Sequence, residues 1–506
     1  MKNFNSISIL AFFIVLHVAR NAVPYAVYPL IVLLFPFTLY QFVNVKEAKQ
    51  AIVKSVKVFS PIILLIIIEL VAIFCTAYPF RGLPLDFLKE FCFISIFLFL
   101  LSRHIQNKQD FKQLIRHIGN YFILFSVIIS ILGLWKFFYS PSFISFHYLN
   151  ENFHLKWGTT IVSDYNFFAL FLLNGLVLGL HKLLCSPNKI KYKVLFLIAL
   201  QVIISATILS GSRRLTLCLT AFFMVNLLLL IPFIFNKLFS NIRSYKYLCL
   251  FLFLSIAHLG VIYSFLSYFP LVSEKAEKTF FIDRKNIDNN ILQISTRINS
   301  AVSYYLIDIH KKEEMLAKLE KEKVLAKLGK EKNISSVSSE TEETENIVLP
   351  TVILEIDETK EVISLTSSRQ ELWHLGKKIY HEYTIPQKIF GRGFTFLYVS
   401  QKETGHCFYP HYLFLSILLF SGIIGLVLYV TFLVCISLIY LFYFKDLGVL
   451  FLLFLLNFTF GFFSFTDFFG ATFYAILLIL PLLYAYLHGY KELFNRICSY
   501  RIKKND

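Results

Sequence analysis

The chain alternates long apolar runs with short loops, and the runs are too long and too uniform to form the core of a soluble domain. A helix needs about 20 mostly apolar residues to cross roughly 30 Å of hydrocarbon. Stretches that meet or approach this length fall near 5–20, 22–43, 58–79, 87–102, 121–139, 161–181, 194–211, 215–235, 247–270, 411–443, 447–464 and 468–488. The 506 residues are 57% hydrophobic and only 16% charged, which excludes an ordinary soluble protein of this size. The sequence therefore predicts an all-α polytopic membrane protein with about twelve transmembrane helices, since only helices or closed barrels satisfy backbone polar groups in lipid.

The net charge of +17 would suit a nucleic-acid binder, but its distribution points to a bilayer and to no nucleic acid. Lys46, Lys49, Lys54 and Lys57 lie in one loop; Arg103, Lys108, Lys112 and Arg116 in another; Lys182, Lys189, Lys191 and Lys193 in a third; Lys237, Arg243 and Lys246 in a fourth. These alternate loops are expected to be cytoplasmic, together with both termini, because the basic tail 489–506 falls on the side of the N-terminus after an even number of spans. The first apolar run lacks a small-x-small cleavage site and is expected to be a retained helix. Eight scattered cysteines show no metal-type spacing, and only Cys407 falls in the long loop.

This pattern divides the chain into an N-terminal transmembrane bundle of about nine spans (1–270), one large non-cytoplasmic loop domain between the ninth and tenth spans (271–410), C-terminal spans (411–488) and the basic tail. Within the loop, residues 311–366 read as an insertion: a Lys/Glu-rich helix near 311–332, a Ser/Thr/Glu tract, then two strand-like runs around the turn Asp357–Lys360. The acidic cluster Glu355-Ile356-Asp357-Glu358 fits a charged hairpin turn better than a cation site. No D-x-D, H-E-x-x-H or G-x-x-x-x-G-K motif occurs on the expected external face, so arginine is the expected partner of any anionic substrate.

Three places carry chemistry. Arg213 and Arg214 follow Ser210-Gly211-Ser212 at a non-cytoplasmic helix end, where arginine runs against the usual charge bias. They either snorkel to the interface or clamp a phosphate or diphosphate, a task bidentate guanidinium suits. Ser368-Arg369-Gln370-Glu371 has the form of a helix capping box, which places Arg369 at the positive end of a helix with Trp373 one turn on. Last, Gly391-Arg392-Gly393 and then His406 and His411 precede the span that begins LFLSILLF. Glu69 lies inside the third span, where it is expected to pair with an arginine of another helix or to be neutral and buried in a structural role. Asp164 and Asp467, near span ends, are weaker candidates for a general base.

Taken in order, these pieces resemble the O-antigen ligase and polymerase superfamily, membrane glycosyltransferases that use polyprenyl-diphosphate-linked glycans. Ser163-Asp164-Tyr165-Asn166-Phe167-Phe168-Ala169 resembles the family's Asn-x-hydrophobic-Ala span opening, and Ser212-Arg213-Arg214 its Ser-Arg. Arg369 with Trp373 resembles its R-x-x-x-W helix, Gly391-Arg392-Gly393 its G-x-G turn, and His411 with Gly422-Ile423-Ile424-Gly425 its histidine and following G-I-I-G helix. The family's Asn after the histidine is Tyr412 here, and Thr296-Arg297 opens another helix that competes with Arg369 for the second arginine.

The resemblance implies transfer of a glycan from undecaprenyl diphosphate to a hydroxyl of lipid A-core on the periplasmic face of a bacterial inner membrane, with no metal and no cofactor. It implies His411, Arg369 and Arg213 as catalytic residues, and Arg214, Arg297, Trp373 and Arg392 as substrate-binding ones. His411 would orient the acceptor hydroxyl, take its proton or touch the diphosphate. An O-antigen polymerase and a protein O-oligosaccharyltransferase share the donor and differ in acceptor. A lipid-linked saccharide transporter is the more distant alternative; such proteins usually show inverted repeats and broken spans, whereas this sequence has two unequal groups of spans around one loop.

Overall fold

A computed structural model describes residues 2–20, 27–76, 83–139, 158–161, 165–185, 190–212, 218–224, 226–227, 246–264, 287, 290–291, 294, 372–404, 410–462, 464, 467–470 and 472–489. All belong to one compact unit formed by 1–294 and 368–506; residues 295–367 make a second unit, which contains the expected insertion 311–366 and lies outside the described residues. The Lys/Glu helix, the strand-like runs and the acidic turn expected there therefore carry no structural account.

The described residues are helical or in turns, and contain no strand. The helices are α1 (Lys2–Ala19), α2 (Val27–Tyr40), α3 (Val45–Phe74), α4 (Leu83–His104), α5 (Lys108–Tyr139), α6 (Tyr165–Cys185) and α7 (Ile190–Ile208). After these come α8 at 218–224, α9 (Lys246–Ser264) and α10 at 372–381. The C-terminal part holds α11 (Ile385–Phe390), α12 (Thr395–Thr404), α13 (Leu413–Phe442), α14 (Phe444–Phe462) and α15 (Thr472–His488). Seven of them (α3, α5, α6, α7, α9, α13 and α14) are long and apolar enough to cross a membrane, and α1, α2 and α15 contain shorter apolar helices. Helical residues fall within each of the twelve apolar runs.

Large apolar side chains point outward all round the bundle, among them Val32, Ile67, Phe253 and Val427. Such an exposed apolar surface is untenable in water and is what hydrocarbon surroundings favour. The protein is therefore a polytopic, membrane-embedded helical protein. Its interior is formed by α6 and α15, whose residues from Phe168 to Leu173 and from Phe473 to Leu480 are all buried. Phe122 of α5 stacks on Phe171 at 4.7 Å and meets Phe473 at the same distance, so three helices share one aromatic contact. Close approach of α5 and α6 depends on Gly175, where a Cβ would stand 2.0 Å from Ser126 Oγ. Without a hydrophobic drive between helices in lipid, small residues of this kind permit the backbone contact that van der Waals packing needs.

Two helices extend farthest beyond the expected spans. The run at 58–79 is preceded by thirteen further helical residues, so that α3 begins at Val45, with a kink at Phe59 just before Pro61. Proline removes an N–H and crowds the carbonyl one turn back, so the kink falls at the start of the apolar part. The segment before it is amphipathic, burying Ala48, Ala51, Ser55 and Val58 at helical spacing while Lys46, Lys49 and Lys57 remain exposed. In α5, residues 108–120 similarly prolong the span with Phe111, Leu114 and Ile118 buried.

The described basic residues Lys54, Arg103, Lys112, Arg116 and Lys182 gather at one end of the bundle, here termed the basic end. Arg103 pairs with Glu47, Lys112 Nζ lies 3.7 Å from Asp446, and Lys54 Nζ donates to Ile105 O at 2.7 Å. The opposite end carries Ser212, the Gly391–Gly393 turn and His411.

Candidate functional site

At that opposite end, α7 finishes in the turn Ser210-Gly211-Ser212, with Gly211 in the left-handed region at φ 71° and both serines fully buried. Ser212 Oγ donates to Asn166 Oδ1 at 2.9 Å, so the start of α6 is bonded to the residue preceding Arg213. A short strip of chain at 158–160 clamps the same turn. Thr159 N donates to Leu209 O at 3.0 Å, Thr159 Oγ1 to Ala206 O at 2.6 Å, and Thr160 Oγ1 to Ser210 O at 3.4 Å.

This strip is held from behind by two residues that sequence reasoning missed. Lys136, only 6% exposed near the end of α5, donates from Nζ to Thr160 O at 2.6 Å and to Gly158 O at 3.1 Å. Asn290 accepts from Gly158 N at 2.8 Å and donates from Nδ2 to Phe137 O at 3.3 Å. The described helical residues Ile287, Asn290, Ile291 and Ile294 are all buried, at the three- and four-residue spacing of a helix lying on the bundle. Neither Lys136 nor Asn290 belongs to a motif. The available signal was a lysine within an apolar run, which demands an internal partner.

The C-terminal elements meet at a break in α13. Gly422 adopts φ 68° and ψ −167° inside that helix. The carbonyls of Leu419 and Phe420, which an unbroken helix would give to residues four further on, accept instead from Arg392 N at 3.2 Å and Gly393 N at 3.1 Å. The contact is backbone against backbone: a Cβ on Gly391 would lie 2.3 Å from Phe420 O, and one on Gly422 would lie 2.3 Å from Ile389 O. Gly391 and Gly393 also have positive φ, 79° and 59°. Thus the Gly391-Arg392-Gly393 turn is a plug seated in the helix break. On its other side, Phe394 N donates to Thr76 Oγ1 at 3.0 Å, which ties the plug to the end of α3. Tyr383 OH donates to Leu419 O at 3.3 Å; burial pushes this phenol up from its ordinary range, against the opposing pull of the Arg392 guanidinium.

Beside the plug, the ring of Trp373 lies 5.9 Å from that of Tyr412, and α10 approaches so closely that a Cβ on Gly376 would be 2.9 Å from Leu415. His411 joins this packing to α13 and is the one non-glycine residue with positive φ, 50°, among those described. Such a conformation costs an L-residue free energy and persists where the surroundings impose it.

These two groups of residues flank the end of α14. Phe167, adjacent to Asn166, meets Phe460 at 5.6 Å, while Phe462 meets Tyr412 at 5.1 Å. The fold thereby brings Asn166 and Ser212 from the N-terminal half to one side of a helix end, and Trp373, His411 and Tyr412 to the other. Arg213, Arg214, Arg297, Arg369, His406 and Asp164 lie outside the described residues.

A buried charged group lies on the flank of α3 and α4. Glu69 is fully buried with neither carboxyl oxygen hydrogen-bonded. Of the two expectations for Glu69, burial holds and no arginine pairs with it among the described residues; Arg20 pairs with Glu90, which also has His17 Nε2 at 3.4 Å. Glu90 was legible as a carboxylate in an apolar run but carried no motif. Asp467 uses Oδ1 to accept from Phe469 N at 2.8 Å and from Gly470 N, so this candidate base caps a turn.

Compared with protein-family models, with curated proteins and with solved structures, the chain has no match.

Proposed function

We propose that the chain is an O-antigen ligase-like glycosyltransferase of a bacterial inner membrane, with about twelve spans, cytoplasmic termini and the loop 271–410 in the periplasm. Its donor is a glycan on undecaprenyl diphosphate and its acceptor a hydroxyl of lipid A-core. The observation that carries this reading is the convergence at the end of α14: the turn leading into Arg213 is bonded to Asn166 on one side, and His411 stands next to the Trp373–Tyr412 contact on the other. Motif pieces far apart in sequence thus share one end of the bundle.

The chemistry asks little beyond placement. The acceptor oxygen attacks the anomeric carbon as the bond to the diphosphate breaks, in line and with inversion. Charge grows on the leaving diphosphate, where Arg213 and Arg369 stabilise it electrostatically, with Arg214, Arg297 and Arg392 as further phosphate or sugar contacts. The acceptor proton leaves to His411 or to water.

The break at Gly422 is the one feature that favours a second reading, although its carbonyls at Leu419 and Phe420 are taken by the Gly391–Gly393 plug. Discontinuous spans are a device of transporters, where freed backbone groups meet substrate; a lipid-linked saccharide transporter would use the same arginines for binding alone. One experiment separates these readings. Arg213→Ala, Arg369→Ala and His411→Ala, each at normal membrane level, are scored for polymer on lipid A-core and on the lipid carrier at the periplasmic face. Polymer accumulating there on the carrier while attachment is lost supports the ligase. Single repeats still attached indicate the polymerase, glycan missing from protein the O-oligosaccharyltransferase, and carrier-linked glycan trapped on the cytoplasmic side the transporter.

A further inference from the structure

The basic end of the bundle holds a cavity of about 630 Å³ between α5, the end of α6 and the start of α14. Its walls include Lys112, Arg116, Asn120 and Lys182, and its apolar part includes Leu178 and Val449. No carboxylate is among the described lining residues. Asp446 lies 3.7 Å from Lys112 at the rim, where both side chains are substantially exposed, so this pair is weak. Arg116 acts with like charge on Lys182 and on His117. Lys182 donates to Asn120 Oδ1 and lies 5.4 Å from the ring of Phe196, which holds its ammonium in place without neutralising it. Three cations thus converge on one space, on helices whose packing would otherwise favour opposite charges.

Two properties identify what fits. A guanidinium and two ammonium groups around a cavity suit phosphate oxygens, which accept several charge-assisted hydrogen bonds at once. The apolar wall beneath, on helices that cross the membrane, suits a molecule with a hydrocarbon part as well as an anionic head. We propose that this cavity binds the phosphate of an anionic glycerophospholipid drawn from the leaflet at the basic end. Basic pockets between transmembrane helices recognise headgroups in this way. The site is separate from the proposed transfer site and does not depend on it.

Gly119 supplies a clean test, because it lines the cavity and a Cβ added there meets nothing within 4 Å. Gly119→Leu therefore obstructs the space and spares the packing. The full chain is purified in detergent and supplemented with phosphatidylglycerol, phosphatidylcholine or inorganic phosphate; retained lipid is read by native mass spectrometry and unfolding temperature by intrinsic fluorescence. Phosphatidylglycerol is expected to be retained and to raise the unfolding temperature, while phosphatidylcholine and phosphate do neither. Arg116→Gln with Lys182→Gln is expected to weaken retention about tenfold or more, the loss of one charge-assisted contact or more. Gly119→Leu is expected to unfold at the wild-type temperature in phosphatidylcholine yet lose the increment from phosphatidylglycerol, which decides the matter if the double variant fails to fold. Undiminished retention in Gly119→Leu overturns the proposal, as does an equal increment from inorganic phosphate, which would mark a site for a soluble anion.

Discussion

Ser212 and Asn166 are 46 residues apart and share a hydrogen bond of 2.9 Å that joins the end of one membrane helix to the start of another. Ser212→Ala is expected to cost about 1 kcal/mol of stability, the net value of one such bond, and to reduce glycan transfer further because the next residue is Arg213. In a double-mutant cycle with Asn166→Ala, the coupling in unfolding free energy should be about 1 kcal/mol. Additive effects would mean that the two side chains act independently.

The plug in the helix break makes a sharper prediction about stability. Gly391→Ala and Gly422→Ala each add a Cβ at positive φ that would lie 2.3 Å from a backbone oxygen, so each should destabilise by roughly 3 kcal/mol or more. Gly260→Ala in α9 meets nothing within 4 Å and should be neutral or stabilising by up to about 1 kcal/mol. Thermal unfolding of the three variants in one detergent compares them directly; equal unfolding temperatures would remove the plug from the account.

Backbone conformation and chemistry can be separated at His411. Glycine accepts φ 50° without the penalty of a side chain, so His411→Gly should unfold at the wild-type temperature or above it. His411→Val should lose about 1–2 kcal/mol. On the proposed reading both variants lose transfer. An active His411→Gly would show that this residue only shapes the turn.

On the proposed reading, Lys136 positions the turn that precedes Arg213, through the strip at 158–160. Lys136→Met keeps the stem but leaves the carbonyls of Gly158 and Thr160 without this donor, at a cost of about 2 kcal/mol. Its specific mark should be a fall in kcat with KM for the acceptor unchanged, since on the proposed reading Arg213 acts on the leaving diphosphate. A change confined to unfolding temperature would make the lysine purely structural.

The Arg20–Glu90 pair is mostly buried, with His17 Nε2 3.4 Å from the carboxylate. Removing one partner strands the other, so Arg20→Ala should cost about 3 kcal/mol, whereas Arg20→Met combined with Glu90→Leu should recover most of it. Unfolding free energies of the single and double variants provide the check.

How much of this was legible beforehand differs element by element. The apolar runs mark the helices because crossing hydrocarbon requires length and composition, which are local properties of the chain. Ser210-Gly211-Ser212 was legible as the end of a span and Gly391-Arg392-Gly393 as a turn by resemblance; the left-handed glycines at both are what the structure adds. Lys136 and Asn290 were not legible: each is a single polar residue whose meaning depends on a carbonyl or amide brought to it from far along the chain. Glu69 was legible as a carboxyl that is either paired or buried; that it is buried without an arginine, while Arg20 pairs with Glu90, was decided by how the helices pack.

The sequence by itself determined that this protein is a membrane-embedded helical protein, because hydropathy acts residue by residue along the chain. Only the tertiary structure decided that α13 is broken at Gly422 and filled by the Gly391–Gly393 turn, and that Asn166 and His411 flank the same helix end. Those outcomes depend on steric fit and hydrogen-bond exchange between segments distant in sequence, and such pairings are not written in any one of them.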